Sequence, residues 1–134
     1  MSLYTTVGTV VAGNKIKASE YNTVAAALNS ILTRLDPQEV ELTFGIINDQ
    51  SVVDKNIVHA ETTGGDVTIN GFTGGIEGQT INLYKSPSAN DLIINSNNAL
   101  GTQKILTKTG ATVTISVYGK VNLYCNGTYW FSDV

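Results

Sequence analysis

His59 is the only imidazole in this sequence and Cys125 the only thiol. Nucleophilic or metal chemistry therefore has to run through these two residues or through carboxylates. Acyl transfer needs a nucleophile, a base and a group that orients the base. His59 lies in "NIVHAE", where spacing nominates no nucleophile, and it reads as a surface or packing residue beside a strand. Cys125 alternates with Leu123 and Val121 just before a turn, the position of a small core hydrophobe. A zinc centre built from three or four His or Cys ligands exceeds the two such residues present. Calcium needs clustered carboxylates and carbonyls, and the eleven acids are dispersed, with Glu39 and Glu41 the closest pair on one strand. No two carboxylates stand out as a glycosidase pair. The tract "TTGGDVTINGFTGGIEGQT" holds six glycines, but it lacks a GK[ST] ending and leads into no helix, so it reads as turns and not as a phosphate cradle. The expectation is a protein that is not an enzyme, with no catalytic residues, no metal and no cofactor.

Binding chemistry remains, and the aromatics near the C-terminus supply it. Tyr118, Tyr124, Tyr129, Trp130 and Phe131 crowd the last hairpin, with Tyr129 and Phe131 on one face and Trp130 on the other by strand alternation. Tyr124, Tyr129 and Trp130 are the candidate ligand contacts, since exposed aromatics among Asn and Thr suit a carbohydrate or protein surface. The alternative is that these rings hold the hairpin in the core.

One helix and a series of short strands must position these residues. Ser19 is a plausible N-cap and Glu20 suits the start of a helix dipole. Apolar residues follow at Tyr21, Val24, Ala25, Leu28, Ile31, Leu32 and Leu35, a continuous stripe at helical spacing. Tyr21, Leu28 and Leu35 repeat every seventh residue, as do Val24 and Ile31, and Pro37 ends the element at Asp36. Full burial of such side chains is worth roughly 1.5 to 3 kcal/mol each, so the stripe must pack on its own β domain or on copies of itself. The heptad spacing favours copies, which makes Tyr21, Val24, Leu28, Ile31, Leu32 and Leu35 the predicted subunit interface. So short a coil cannot hold an assembly alone, and the sheets would have to associate as well.

After residue 38 the period switches to two. "VELTFGI" places Val40, Leu42, Phe44 and Ile46 on one side of a strand. Further strands are predicted at Asp66–Asn70, Thr80–Tyr84, Asp91–Asn95, Gln103–Lys108, Ala111–Tyr118, Lys120–Cys125 and Thr128–Ser132, the last two joined by an Asn126-Gly127 turn. "VVDKNIVHAE" is a less regular candidate. Weak strand character also marks Val7–Ala12. Strands recurring without intervening helices point to an antiparallel β-sandwich or prism-like domain. No fixed repeat length is visible, which argues against a solenoid. The expected organisation is an N-terminal attachment arm over residues 1–18, an oligomerisation helix over 19–36 and a β-rich exterior domain over 39–134, mainly β and trimeric.

Composition narrows the partners. Only 14% of residues are charged, against the roughly 25% usual in soluble domains, and Thr, Asn, Ser and Gly make up the difference. A net charge of −3 with scattered basic residues does not suit a nucleic-acid binder. No apolar run reaches the ~18 residues of a transmembrane helix, so membrane insertion is not expected. The opening "MSLYTTVGTVVAGNK" makes a poor signal peptide, and a lone cysteine fits folding in a reducing cytoplasm.

The segment "GNKIKASEYNTVAAALNSIL" resembles an N-terminal motif of tailed-phage structural proteins, in which a Gly/Ile/Ala-Ser lead precedes Tyr-Asn and a helix. The stretch "GGIEGQTINLY…NDLIINSNN…KILTKTGATVTISVYGKVNLYCNGTYWF" is similar to β-rich terminal domains of phage tail fibres, head fibres and capsid-decoration proteins. The resemblance implies a virion structural protein, assembled in the host cytoplasm as a homotrimer and attached through its N-terminal region to other virion proteins of capsid, neck or tail. The chain has no extended shaft, which favours a small appendage or decoration protein over a long fibre. The alternative is a receptor- or glycan-binding tip that contacts a host surface glycan or protein during adsorption.

Overall fold

In the computed structural model the described residues are 18–35 and 38–134, and the chain divides into two compact units, residues 1–37 and 38–134. Most of the expected arm, the weak strand at Val7–Ala12 and the Asp36-Pro37 helix stop lie outside the described residues. The first unit contains helix α1, Ala18–Leu35. It begins one residue before Ser19, so Ser19 sits in the first turn instead of capping it. The Ser19 carbonyl accepts a hydrogen bond from the Thr23 hydroxyl at 2.9 Å.

The second unit holds twelve short strands. These are β1 Glu39–Leu42, β2 Gly45–Ile47, β3 Gln50–Ser51, β4 Ile57–Ala60, β5 Val67–Ile69 and β6 Gly71–Thr73. They continue as β7 Thr80–Lys85, β8 Leu92–Ile94, β9 Gln103–Leu106, β10 Val113–Ile115, β11 Gly119–Cys125 and β12 Trp130–Ser132. The antiparallel sandwich expected from the sequence is not what forms. β1, β4 and β7 stack in parallel, as do β2, β5 and β8, and β3 lies parallel to β6. The chain thus winds as a solenoid-like stack of rungs, β1-β2-β3 beneath β4-β5-β6 beneath β7-β8. Each parallel connection is made by further strands, not by a helix, which is why the absence of helices does not imply antiparallel order.

Antiparallel pairing appears only where the winding ends. β9 runs against β6, β10 against β8 and β11 against β7, while β12 pairs with β11 and lies parallel to β9. The result is an eight-stranded sheet in the order β1-β4-β7-β11-β12-β9-β6-β3 and a four-stranded sheet β10-β8-β5-β2. The Asn126-Gly127 turn joins β11 to β12 as predicted, with Gly127 at φ +91° and the Asn126 side chain accepting the Thr128 and Tyr129 amides at 3.0 and 2.8 Å.

Alternation puts one side of every main strand inside. Val58 and Ala60 of β4, Ile81 and Leu83 of β7, and Val121, Leu123 and Cys125 of β11 form one wall of the core, facing Val67, Ile69, Leu92 and Ile94. Phe72, Ile105 and Trp130 fill the third side, with the Phe72 and Trp130 rings edge to face at 5.8 Å. Lys85 takes the same inward ladder position as Leu42 and Ala60. Its ammonium is buried and donates to the Ser86 and Ser88 carbonyls, both at 3.0 Å. One predicted strand breaks: "VELTFGI" turns at Gly45, φ +121°, where the chain leaves one sheet for the other. Leu42 is therefore buried while Phe44 and Ile46 are 61% and 70% exposed.

Candidate functional site

The outer face of β1, β4 and β7 collects the only histidine with three carboxylates. Parallel register sets Glu41 directly beside His59, and His59 beside Tyr84. Glu39, Glu61 and Ser86 lie two residues along their strands from these three, so alternation turns them to the same face. The side chains meet. His59 Nδ1 is 3.4 Å from Glu41 Oε2 and 3.7 Å from Glu39 Oε1, and its Nε2 is 3.7 Å from Glu61 Oε2. Ser86 Oγ lies 2.5 Å from His59 Nε2 and donates to Glu61 Oε2 at 3.1 Å. The Tyr84 ring stacks on the imidazole at 4.5 Å, and its hydroxyl donates to Glu39 at 2.8 Å.

The electrostatics follow from these contacts. Hydrogen bonds from Thr63, helped by the Ser86 hydroxyl and the nearby His59, hold the Glu61 carboxyl below the ordinary carboxylate range against a smaller opposing effect of burial. The hydrogen bond to Glu39, then burial and the surrounding carboxylates, push the Tyr84 hydroxyl above its ordinary value. Ser86, His59 and Glu41 have the order of a nucleophile, base and orienting acid, but Ser86 is buried and its hydroxyl proton is directed at Glu61. A carboxylate there would repel the oxyanion that acyl transfer must stabilise. The donor set, imidazole nitrogen plus carboxylate oxygens, is that of a metal ligand cluster: one atom each from Glu41, His59 and Glu61 lies within 4.8 Å of the others.

A second surface lies on the outer side of β7, β11 and β12. Tyr124 and Phe131, cross-strand partners, line a groove of about 430 Å³ together with Asn82, Asn122, Ser132 and Asp133. Both rings are partly exposed, and Asn122 Nδ2 donates to Asp133 at 2.9 Å. Of the expected ligand contacts, Tyr124 is therefore in the groove and Tyr129 sits apart in the turn, exposed. Trp130 is withdrawn from that set: alternation turns it inward, it is fully buried beside Phe72, and it has no surface to offer.

On α1, Val24, Leu28 and Ile31 are exposed at 57%, 41% and 54%, while Tyr21, Ala25 and Leu32 are half-buried. The Leu35 side chain lies outside the described residues. The His59 cluster was missing from the sequence-level candidates although its parts were visible. "ELTF" and "VHAE" each place polar groups two apart, but only parallel pairing of β1 with β4 brings the two stretches side by side.

No protein family, curated protein or solved structure matches this chain.

Proposed function

We propose that the chain is a self-assembling structural protein of a tailed-phage particle, a small homotrimeric appendage or capsid-decoration protein held through its N-terminal region, with a prism-like β unit as the exposed part. The observation that carries this reading is the apolar stripe of α1, in which Val24, Leu28 and Ile31 are exposed. Side chains of this size at heptad spacing gain most when buried against copies of the same helix. The sequence resemblance to phage appendage proteins supports the particle, and the low charge content suits a surface partly covered by neighbours. Sedimentation equilibrium at micromolar concentration tests it. The wild-type chain should run as a trimer and Leu28→Asp as a folded monomer. A monomeric wild type, or a Leu28→Asp chain that loses its β structure, would overturn the reading.

A second reading rests on the groove between Tyr124 and Phe131. Two partly exposed rings flanked by Asn82, Asn122 and Asp133 offer stacking faces and planar hydrogen-bonding groups of the kind that sugars use. In this reading the particle protein also contacts host surface glycan. Glycan-array binding that Tyr124→Ala abolishes would support it, and an array blank with the multivalent wild-type assembly would remove it.

A further inference from the structure

We infer that Glu41, His59 and Glu61 form a binding site for one Zn²⁺-type divalent cation that clips the first rung of the solenoid to the second. Three features of the cluster lead there. The first is its donor set. One imidazole and two carboxylates, one atom from each within 4.8 Å of the others, match the nitrogen and oxygen ligands of zinc. The nitrogen disfavours Ca²⁺ and Mg²⁺, which take all-oxygen shells. Zinc bonds of about 2.0–2.2 Å require the carboxylates to draw in further. With Ser86 at Nε2, the cation takes Nδ1, which Glu41 already faces and, 57% exposed, can approach by swinging inward, whereas Glu61 faces Nε2 and has to turn toward the Nδ1 side.

The second feature is charge. Three carboxylates converge on the imidazole, and among the described residues their ion-pair contacts are to His59 and to no lysine or arginine. One imidazole cannot balance three carboxylates, and a bound dication would neutralise most of their charge. The third is preorganisation. The Tyr84 ring stacked on His59 fixes the imidazole plane. Glu39, tied to the Tyr84 hydroxyl, and Ser86, at Nε2, are placed to orient the ligands from outside, as supporting partners do in metal sites.

The ligands come from two strands with different standing. His59 lies in the interior strand β4 and Glu61 directly follows it, whereas Glu41 belongs to β1, an edge strand whose one strand neighbour is β4. A cation shared between them would tie the edge to the sheet interior. This role is separate from self-assembly and does not depend on it.

The test uses the full chain, stripped with a chelator and titrated with Zn²⁺ by calorimetry and with Co²⁺ by visible absorption. One Zn²⁺ per chain is expected, with Co²⁺ absorption in the d–d region. The amides of β1 should exchange more slowly with Zn²⁺, while those of β8 change little. His59→Gln and the Glu41→Gln/Glu61→Gln pair should each weaken binding roughly tenfold or more, the scale seen even when supporting partners are lost, and Glu77→Gln should leave it unchanged. Imidazole nitrogen NMR of the wild type reads the same event without a variant, as a shift of one His59 ring nitrogen on adding Zn²⁺. No His59 shift, equal binding by His59→Gln, or equal stabilisation by Ca²⁺ would each overturn the site.

Discussion

Trp130 carries a cost that its neighbours impose. Its indole Nε1 is buried and has no hydrogen-bond partner among the described residues, which costs about 1–3 kcal/mol relative to a satisfied donor. The ring stays because it fills the space between Phe72 and the Gly75 backbone, where a Cβ on residue 75 would run into the indole. Gly75→Ala should therefore destabilise the fold by about 1–3 kcal/mol, the usual price of overpacking, with a red-shifted emission from the sole tryptophan on urea titration. Glu61 makes the opposite kind of contribution. Its folded pKa is depressed, chiefly by hydrogen bonds from Thr63, so its stabilisation is complete above the ordinary carboxylate value and is lost as pH falls through the lower folded value. Acid unfolding should accordingly be less steep in Glu61→Gln than in the wild type over that window. A Glu61 carboxyl that titrates by NMR at the ordinary value would refute the account. Cys125 is held thiol-like by burial, which raises its pKa, and disulfide-exchange reagents should modify it only as the hairpin opens.

At the scale of elements, the corners hold the rungs together as much as the strands do. Asn48, Asn70 and Asn95 follow β2, β5 and β8 and stack as an amide ladder. Asn70 Nδ2 donates to Asn48 Oδ1 and Asn95 Nδ2 to Asn70 Oδ1, both at 2.7 Å, and the Thr112 hydroxyl extends the row to Asn95 at 3.1 Å. Such ladders suit parallel, in-register stacking. Asn70 is buried, so Asn70→Ala strands its neighbours and should cost about 1–3 kcal/mol. Asn48→Ala, at the exposed end, should cost less than about 1 kcal/mol, since water can replace the lost partner. Chemical denaturation of the two variants checks the ranking. The sequence announced the strands through alternation, as at Val121, Leu123 and Cys125, and the hairpin through Asn126-Gly127. It hid their order. The stacked partners Val40, Val58 and Leu83 fall at unequal intervals, so no repeat length shows, and two-residue strands such as β3 carry no period at all. The His59 cluster was illegible for the same reason: its spacing exists only once β1 lies parallel to β4.

At the scale of the whole molecule, stacking leaves an end. Among the described residues β1, β2 and β3 each sit at the edge of a sheet, so the outer side of the first rung has no strand partner there, and such an edge invites pairing with another chain. Ile46 of β2, 70% exposed, places a large apolar side chain on that rung, while Glu39 and Glu41 of β1 supply the charge that discourages edge-to-edge contact. The molecule thus has two surfaces suited to self-association, the α1 stripe and the open rung, and they predict different assemblies. A helix interface closes into a trimer, whereas two open rungs meet through the same surface on each copy and close at a pair. Ile46→Lys separates them. At so exposed a position the fold should change by no more than about 0.5 kcal/mol, leaving circular dichroism and the thermal midpoint in place. In sedimentation velocity the variant should keep the trimer and lose only the species in which trimers pair at high concentration, and Leu28→Asp should run as a monomer at the micromolar concentrations where the wild type is a trimer. If Ile46→Lys alone produced monomers, assembly would run through the solenoid end, and the helix stripe would lose its place as the subunit interface.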